Sequence, residues 1–330
     1  MNQLLRGLFA AAREPSATSF SACIGSDIVR FHFASADLAA RHEPPFGHFS
    51  ANGQPADLDV FCFTHPAAVA GWLQQNHLNT TPHKTFRLPP GIQYCSQEDG
   101  LFWLNHTDKT SFFWGNSPDA FEPYRSKPFS RLLYWHFENK GFRWCHGACV
   151  ATETGAALIP NVGGAGKSTT AAAALLSGMD FLGDDYLLIE PERSLVFGMY
   201  SSLMLSEESI RLLRHFERSR QLEGSFLGNK NKFCHYLYPA FETQLKAVVP
   251  LQIILVPEIA DGENSRIEPA SKEEAMQAFV SSVQTAWLFG GDPAKALRGF
   301  YQLTQKTPVA KLLIGRDLKQ VAELIKSLLA

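Results

Sequence analysis

Residues 159–185 read IPNVGGAGKSTTAAAALLSGMDFLGDD, and this stretch decides the architecture. It leaves an apolar strand (Ala156 to Ile159), turns through a glycine-rich loop and enters a helix of strong helix formers, Lys167 to Leu176, stopped at Gly178. A second apolar segment then returns to Asp184 and Asp185, seventeen residues beyond Lys167. The loop fits the phosphate-cradling pattern G-x-x-x-x-G-K-[ST] with Asn161 in place of the first glycine, a residue that also tolerates positive φ. Gly163, Gly164 and Gly166, with Ala165 between them, let backbone N–H groups approach an anion at the helix N-terminus. Lys167 is expected to reach the β- and γ-phosphates and Ser168 to ligate Mg²⁺, with Thr169 completing the phosphate contacts. A chance glycine-rich turn is the competing reading, and the strand before it and helix after it argue against that.

The aspartate pair adds chemistry. One helix and a return strand bring Asp184 and Asp185 back toward the phosphates, where one carboxylate can hold Mg²⁺ and the other can accept the proton of an attacking hydroxyl. A simple ATPase needs one such carboxylate, so the pair points to a kinase with ATP and Mg²⁺. The aspartates do not follow a run of four apolar residues, and no LSGGQ-like signature is present, which argues against a motor or transporter.

The rest of the chain frames that core. With 330 residues it can bury one large domain or two ordinary ones. A net charge of −2 offers no broad nucleic-acid or membrane footprint. The longest apolar run, AVVPLQIILVP, is cut by Pro250 and Pro257 and falls short of the roughly 20 residues that span a bilayer. The N-terminal apolar run is too short for a signal peptide, so a soluble, cytoplasmic protein is expected. Six cysteines include no CxxC pair; Cys145 and Cys149 flank His146 but lack a second close pair, so buried thiols are expected rather than zinc.

Residues 1–125 read as a smaller, mainly β domain, with a half-buried strand LDVFCF and a hairpin of GLFWLN and TSFFWG around HTDK. The turn-rich segment at residues 115–129 marks the boundary, and residues 126–330 form the second domain. There SRLLYWHFENKG is expected as a helix ending on Gly141, GACVATETGAALIP as a hairpin, FLGDDYLLIE, LQIILV and VAKLLIG as strands, and SEESIRLLRHFER as a helix capped by Ser206. SKEEAMQAFVSSVQTAWLF reads as one long amphipathic helix capped by Ser271, and Asp317 caps a closing helix.

These residues together resemble the HPr serine kinase/phosphorylase family and its wider set of HPr-kinase-like proteins. The likeness rests on His146-Gly147, a hairpin, GGAGKST, then GDDY (Gly183 to Tyr186), and on a tail with SRIEPASKEEAM and KLLIGRDLKQVAELI. It covers roughly residues 142–330 and implies an α/β (α+β) P-loop kinase core like that of phosphoenolpyruvate carboxykinase, not the doubly wound P-loop fold. It further implies Lys167 and Ser168 at the triphosphate and Mg²⁺, Asp184 as general base, Asp185 as the metal-side carboxylate with that order open to exchange, and His146 beside the phosphates. Lys230 or Lys232 would supply a second cation. Glu207 and Glu208 suit a helix first turn as well as a site. YSSLMLSEESIRLL departs from the phosphorylase signature, and the chain is more similar to divergent kinases of peptide tailoring, including those acting on lasso-peptide precursors. The expected partner is a peptide or protein bearing an acceptor serine; a small-molecule hydroxyl and a nucleotide-sensing module without transfer are the alternatives. Authentic HPr kinases form hexamers, so a homo-oligomer is compatible.

Overall fold

The computed structural model describes residues 1–330 apart from 52, 66–68, 161–163 and 228–230. It is a mixed α/β structure with three sheets, in two compact units, Met1–Lys140 and Gly141–Ala330.

In the first unit the elements follow as α1 (Asn2–Ala12), β1 (Thr18–Ile24), β2 (Asp27–Phe33), α2 (Ala36–His42), β3 (Leu58–Thr64) and α3 (Val69–Gln75). Then come β4 (Thr85–Leu88), β5 (Ile92–Ser96), β6 (Gly100–Asn105), β7 (Thr110–Gly115) and α4 (Ser130–Asn139). The seven strands make one sheet ordered β1-β2-β3-β7-β6-β5-β4, antiparallel except where β3 runs parallel to β2 and β7. The expected hairpin is β6–β7, with both strands buried along their whole length. LDVFCF is β3, more buried than a half-covered strand because α1 lies on it: Phe9 meets Phe61 edge-on at 5.0 Å. The compact unit runs on to Lys140 because α4 packs against β6.

The core here is aromatic: Phe31 stacks on Phe46 at 4.7 Å and on Phe129 at 5.0 Å, and Phe102 on Phe113 at 4.4 Å. His42 sits inside this cluster, where burial pushes its imidazole down to about 3 and keeps it neutral. At the other end of the unit the buried Asp27, first residue of β2, accepts hydrogen bonds from His136 and Lys140 at the end of α4.

The second unit contains β8 (Arg143–Ala151), β9 (Ala156–Pro160), α5 (Lys167–Leu176), β10 (Asp180–Glu190), β11 (Leu195–Gly198), β12 (Ser202–Leu205), α6 (Glu207–Leu213), β13 (Gly224–Leu227) and β14 (Lys232–Tyr236). It continues with β15 (Val248–Ile259), β16 (Arg266–Pro269), α7 (Lys272–Ala278), α8 (Val280–Leu288), α9 (Pro293–Lys306), β17 (Val309–Ile314) and α10 (Leu318–Leu328). Its main sheet is ordered β11-β10-β8-β9-β15-β17-β16. Because β11 also pairs with the first half of β15, the strands β11, β10, β8, β9 and β15 close into a circuit. β9, which leads into the glycine-rich loop, has β8 antiparallel on one side and β15 parallel on the other. A small antiparallel sheet, β12-β14-β13, stands apart. Helix α5 packs its alanines between the main sheet and α10 with no exposed methyl at Ala171–Ala174.

Local signals explain most of these elements. Ser206, Ser271 and Asp317 each accept a backbone N–H at their helix start, and Ser271 with Glu274 completes a reciprocal capping box. The long helix expected from Ser271 onward is instead two, α7 and α8, broken at Phe279 because that ring turns inward and stacks on Phe300 at 4.4 Å. The helix from Ser206 ends at Leu213 rather than near Arg218, since Phe216 is drawn into the core.

One pH dependence follows from Asp27. Burial opposes its ionisation, but the hydrogen bonds and charges of His136 and Lys140 overcome that and hold the carboxyl down at about 2. The folded value lies below the ordinary carboxylate value of 3.8, so the stabilisation is complete above that value and is lost as pH falls toward 2. Urea unfolding of the wild type should lose roughly 2 kcal/mol more than Asp27→Asn over this window. Parallel pH profiles for the two proteins would contradict it.

Candidate functional site

The site forms where β9 gives way to the loop, at the first turn of α5 and the middle of β10. Gly147 of β8 lies between Pro160 of β9 and Asp185 of β10 in register. A Cβ on Gly147 would fall 2.9 Å from the Ile159 carbonyl oxygen, so only glycine lets β8 and β9 meet this closely. Its neighbour His146 is opposite Tyr186, and the His146 backbone N–H is held by the Ser282 hydroxyl of α8 at 2.8 Å.

The loop closes through Gly164 and Gly166, both in the left-handed region at φ +91° and +79°. Gly166 caps α5, and a Cβ there would lie 3.2 Å from Ile314 Cδ1. Ala165 stands between the two glycines. Gly163, with Asn161, lies outside the described residues, as does Lys230.

Two consecutive residues of α5 face two consecutive residues of β10. Ser168 Oγ donates to Asp184 Oδ1 at 2.8 Å, and both side chains are buried. The other oxygen of Asp184 accepts the Met204 backbone N–H of β12 at 3.4 Å. Lys167 Nζ donates to Asp185 Oδ1 at 3.2 Å, with the lysine only 5% exposed. His146 Nε2 lies 3.5 Å from the same Asp185 oxygen. Neighbouring strand residues normally project to opposite faces. Asp185 has φ +71°, a left-handed conformation rare outside glycine, and this breaks the alternation so that both carboxylates serve the first turn of α5.

Thr169 turns elsewhere: its hydroxyl donates to Ser209 Oγ of α6 at 2.8 Å, and Ser209 in turn meets Ser206 Oγ at 2.9 Å. Glu207 and Glu208 are exposed in the first turn of α6. Lys232 opens β14, opposite Leu227, in the small sheet. Cys145 and Cys149 are buried free thiols, Cys145 pushed up to about 12 by burial despite its Ser282 hydrogen bond and the Lys167 charge. Among the described residues no group of three His, Cys, Asp or Glu side chains could hold a metal by itself. Ser209 and Ser282 are residues at the site's margin that the sequence reading missed. Ser209 is signalled only by its place in the helix start that Ser206 caps; Ser282 carries no local signal at all.

No protein-family model matches this chain, and no curated protein matches it. Among solved structures it is similar to the HPr(Ser) kinase/phosphatase from Coxiella burnetii, at 10% identity and a TM-score of 0.28, over 56% of this chain and 95% of that one. A likeness of that size leaves function to the geometry of the site. Among the described residues no helix is long and apolar enough to cross a membrane.

The two loop glycines should respond differently to a methyl group. Gly166→Ala meets both positive φ and the Ile314 side chain, whereas at Gly164 nothing lies within 4 Å of the added carbon. The Gly166 substitution is expected to cost about 2 kcal/mol and the Gly164 one about 1 kcal/mol, read as midpoint shifts in urea unfolding. Equal midpoints would show that the cap of α5 is not built as described.

Proposed function

We propose that this chain is a kinase that uses ATP and Mg²⁺ to phosphorylate a hydroxyl, with a serine of a peptide or protein as the acceptor, on an HPr-kinase-like P-loop core. The observation that carries the reading is the double pairing of Lys167 with Asp185 and Ser168 with Asp184 at the start of one helix.

The residues fit the groups they would bind. A helix N-terminus preceded by Gly164 and Gly166, with no acidic residue in its first turn, is suited to phosphate. Ser168 and Asp184 offer two hard oxygen donors side by side, a set suited to Mg²⁺. When bound with the nucleotide, Mg²⁺ supplies charge neutralisation across the phosphates.

The chain's own groups then divide the work. Lys167, dry and positively charged, exchanges its carboxylate partner for phosphate oxygens. That exchange leaves Asp185 to take the proton of the acceptor hydroxyl as its oxygen forms the new bond to the γ-phosphorus and the bond to the β-phosphate oxygen breaks. His146, already 3.5 Å from Asp185, orients that carboxylate. Asp184 is buried and held by Ser168 and the Met204 N–H, so it suits the metal side. Of the two orders that the sequence leaves open for Asp184 and Asp185, burial supports this one: the acceptor needs the more accessible of the two.

The test uses labelled ATP with serine-containing peptide and protein acceptors. Asp185→Asn should lower transfer by about 10²–10⁴-fold while nucleotide binding is kept. Asp184→Asn should remove the Mg²⁺ dependence of nucleotide binding itself, measured by titration calorimetry. Nucleotide hydrolysis that no acceptor stimulates and that both substitutions leave intact would sink the reading.

A further inference from the structure

A cavity is lined by none of the residues just described. It has a volume of about 220 Å³ and is walled by Ile210 and Leu213 of α6, by Leu222, and by His235 of β14. The exposed residues Arg214 and Arg220 also line it.

Three observations mark it as a built site. His235 is 3% exposed, and neither buried ring nitrogen makes a hydrogen bond of good geometry, its contacts with the Leu222 and Glu223 backbone only partly offsetting burial. A buried polar group left in that state costs free energy that a ligand atom can recover. The ring is also fixed in place: Gly224 of β13 passes over it so closely that a Cβ would lie 2.6 Å from its Nδ1. Finally, Arg214 and Arg220 have no ion-pair partner among the described residues, so two positive charges border an apolar wall uncompensated. An apolar cavity of about 150 Å³ is enough to hold benzene. The present one has room for a ring or branched alkyl group with a head.

We propose that this cavity binds a small carboxylate or phosphate monoester with a compact apolar body. The body would rest on Ile210, Leu213 and Leu222, and the anionic head would face Arg214, Arg220 and the His235 imidazole. Burial lowers the basicity of His235, so the neutral ring has one N–H to donate and one nitrogen to accept. The inference does not rest on the kinase reading, since none of its residues belongs to the phosphate site.

The experiment uses the full chain with isotope-labelled histidine, in a Lys167→Ala background that removes the other anion site. Phenyl phosphate and 4-methylpentanoate are titrated separately while the His235 ring resonance, assigned through His235→Gln, is followed by NMR. At least one probe should shift it saturably, and whichever binds more tightly identifies the head group. Replacing both surface arginines (Arg214→Ala with Arg220→Ala) should weaken that binding by at least about tenfold. Arg220→Ala alone, with thermal unfolding as the check on folding, should weaken it in the same direction. No saturable shift from either probe at millimolar concentration, or equal binding by the arginine variants, would overturn the proposal.

Discussion

Lys167 and Asp184 are both almost fully withdrawn from water, and neither would tolerate that without a polar partner. The site is therefore held in shape by its own polar groups: the lysine on Asp185, and the Ser168 hydroxyl on Asp184. Around this pair of contacts the rest of the second unit is arranged. Helix α5 must start where β9 ends, β10 must lie two strands away beside β8, and Gly147 must be small enough for β8 to approach β9. In the proposed kinase the same contacts act as a relay, because a phosphate that takes Lys167 also releases the carboxylate needed next.

Much of this was legible in the sequence because it is local. The alternation and caps that define α5, β10, α6 and α10 need only neighbours within a few residues, as Ser206 and Asp317 show. The juxtaposition of Lys167 with the aspartates followed from helix length alone. The conformation of Asp185 did not, since positive φ at a non-glycine residue inside a strand is imposed by its tertiary partners. Nor did the break at Phe279, where a stacking partner more than twenty residues away outweighs helical periodicity. Helix α9 is a different kind of omission: Asp292 followed by Pro293 is a helix start written in the sequence, and Asp292 does accept the Ala294 and Lys295 N–H groups.

The first unit hides its helices: α2 and α3 are seven residues each and gain their order from the sheet beneath them, and the eleven-residue α1 has no side-chain cap to announce it. Its histidines follow their surroundings. His42 is one more ring in an aromatic core, whereas His136 is a hydrogen-bond donor to a buried carboxylate. Residue type alone does not separate the two; the neighbouring chain does.

The closed circuit of five strands has a bearing on how copies of this chain meet. β11 is paired along both sides, so among the described residues the strand that ends the main sheet's order is β16. That strand is four residues long, ends in Pro269, and carries the exposed charges of Arg266 and Glu268. Extended segments from another molecule would find little backbone there to zip onto. Crowded, newly made chains are thus guarded against fibrous stacking through the very sheet that carries the aspartates.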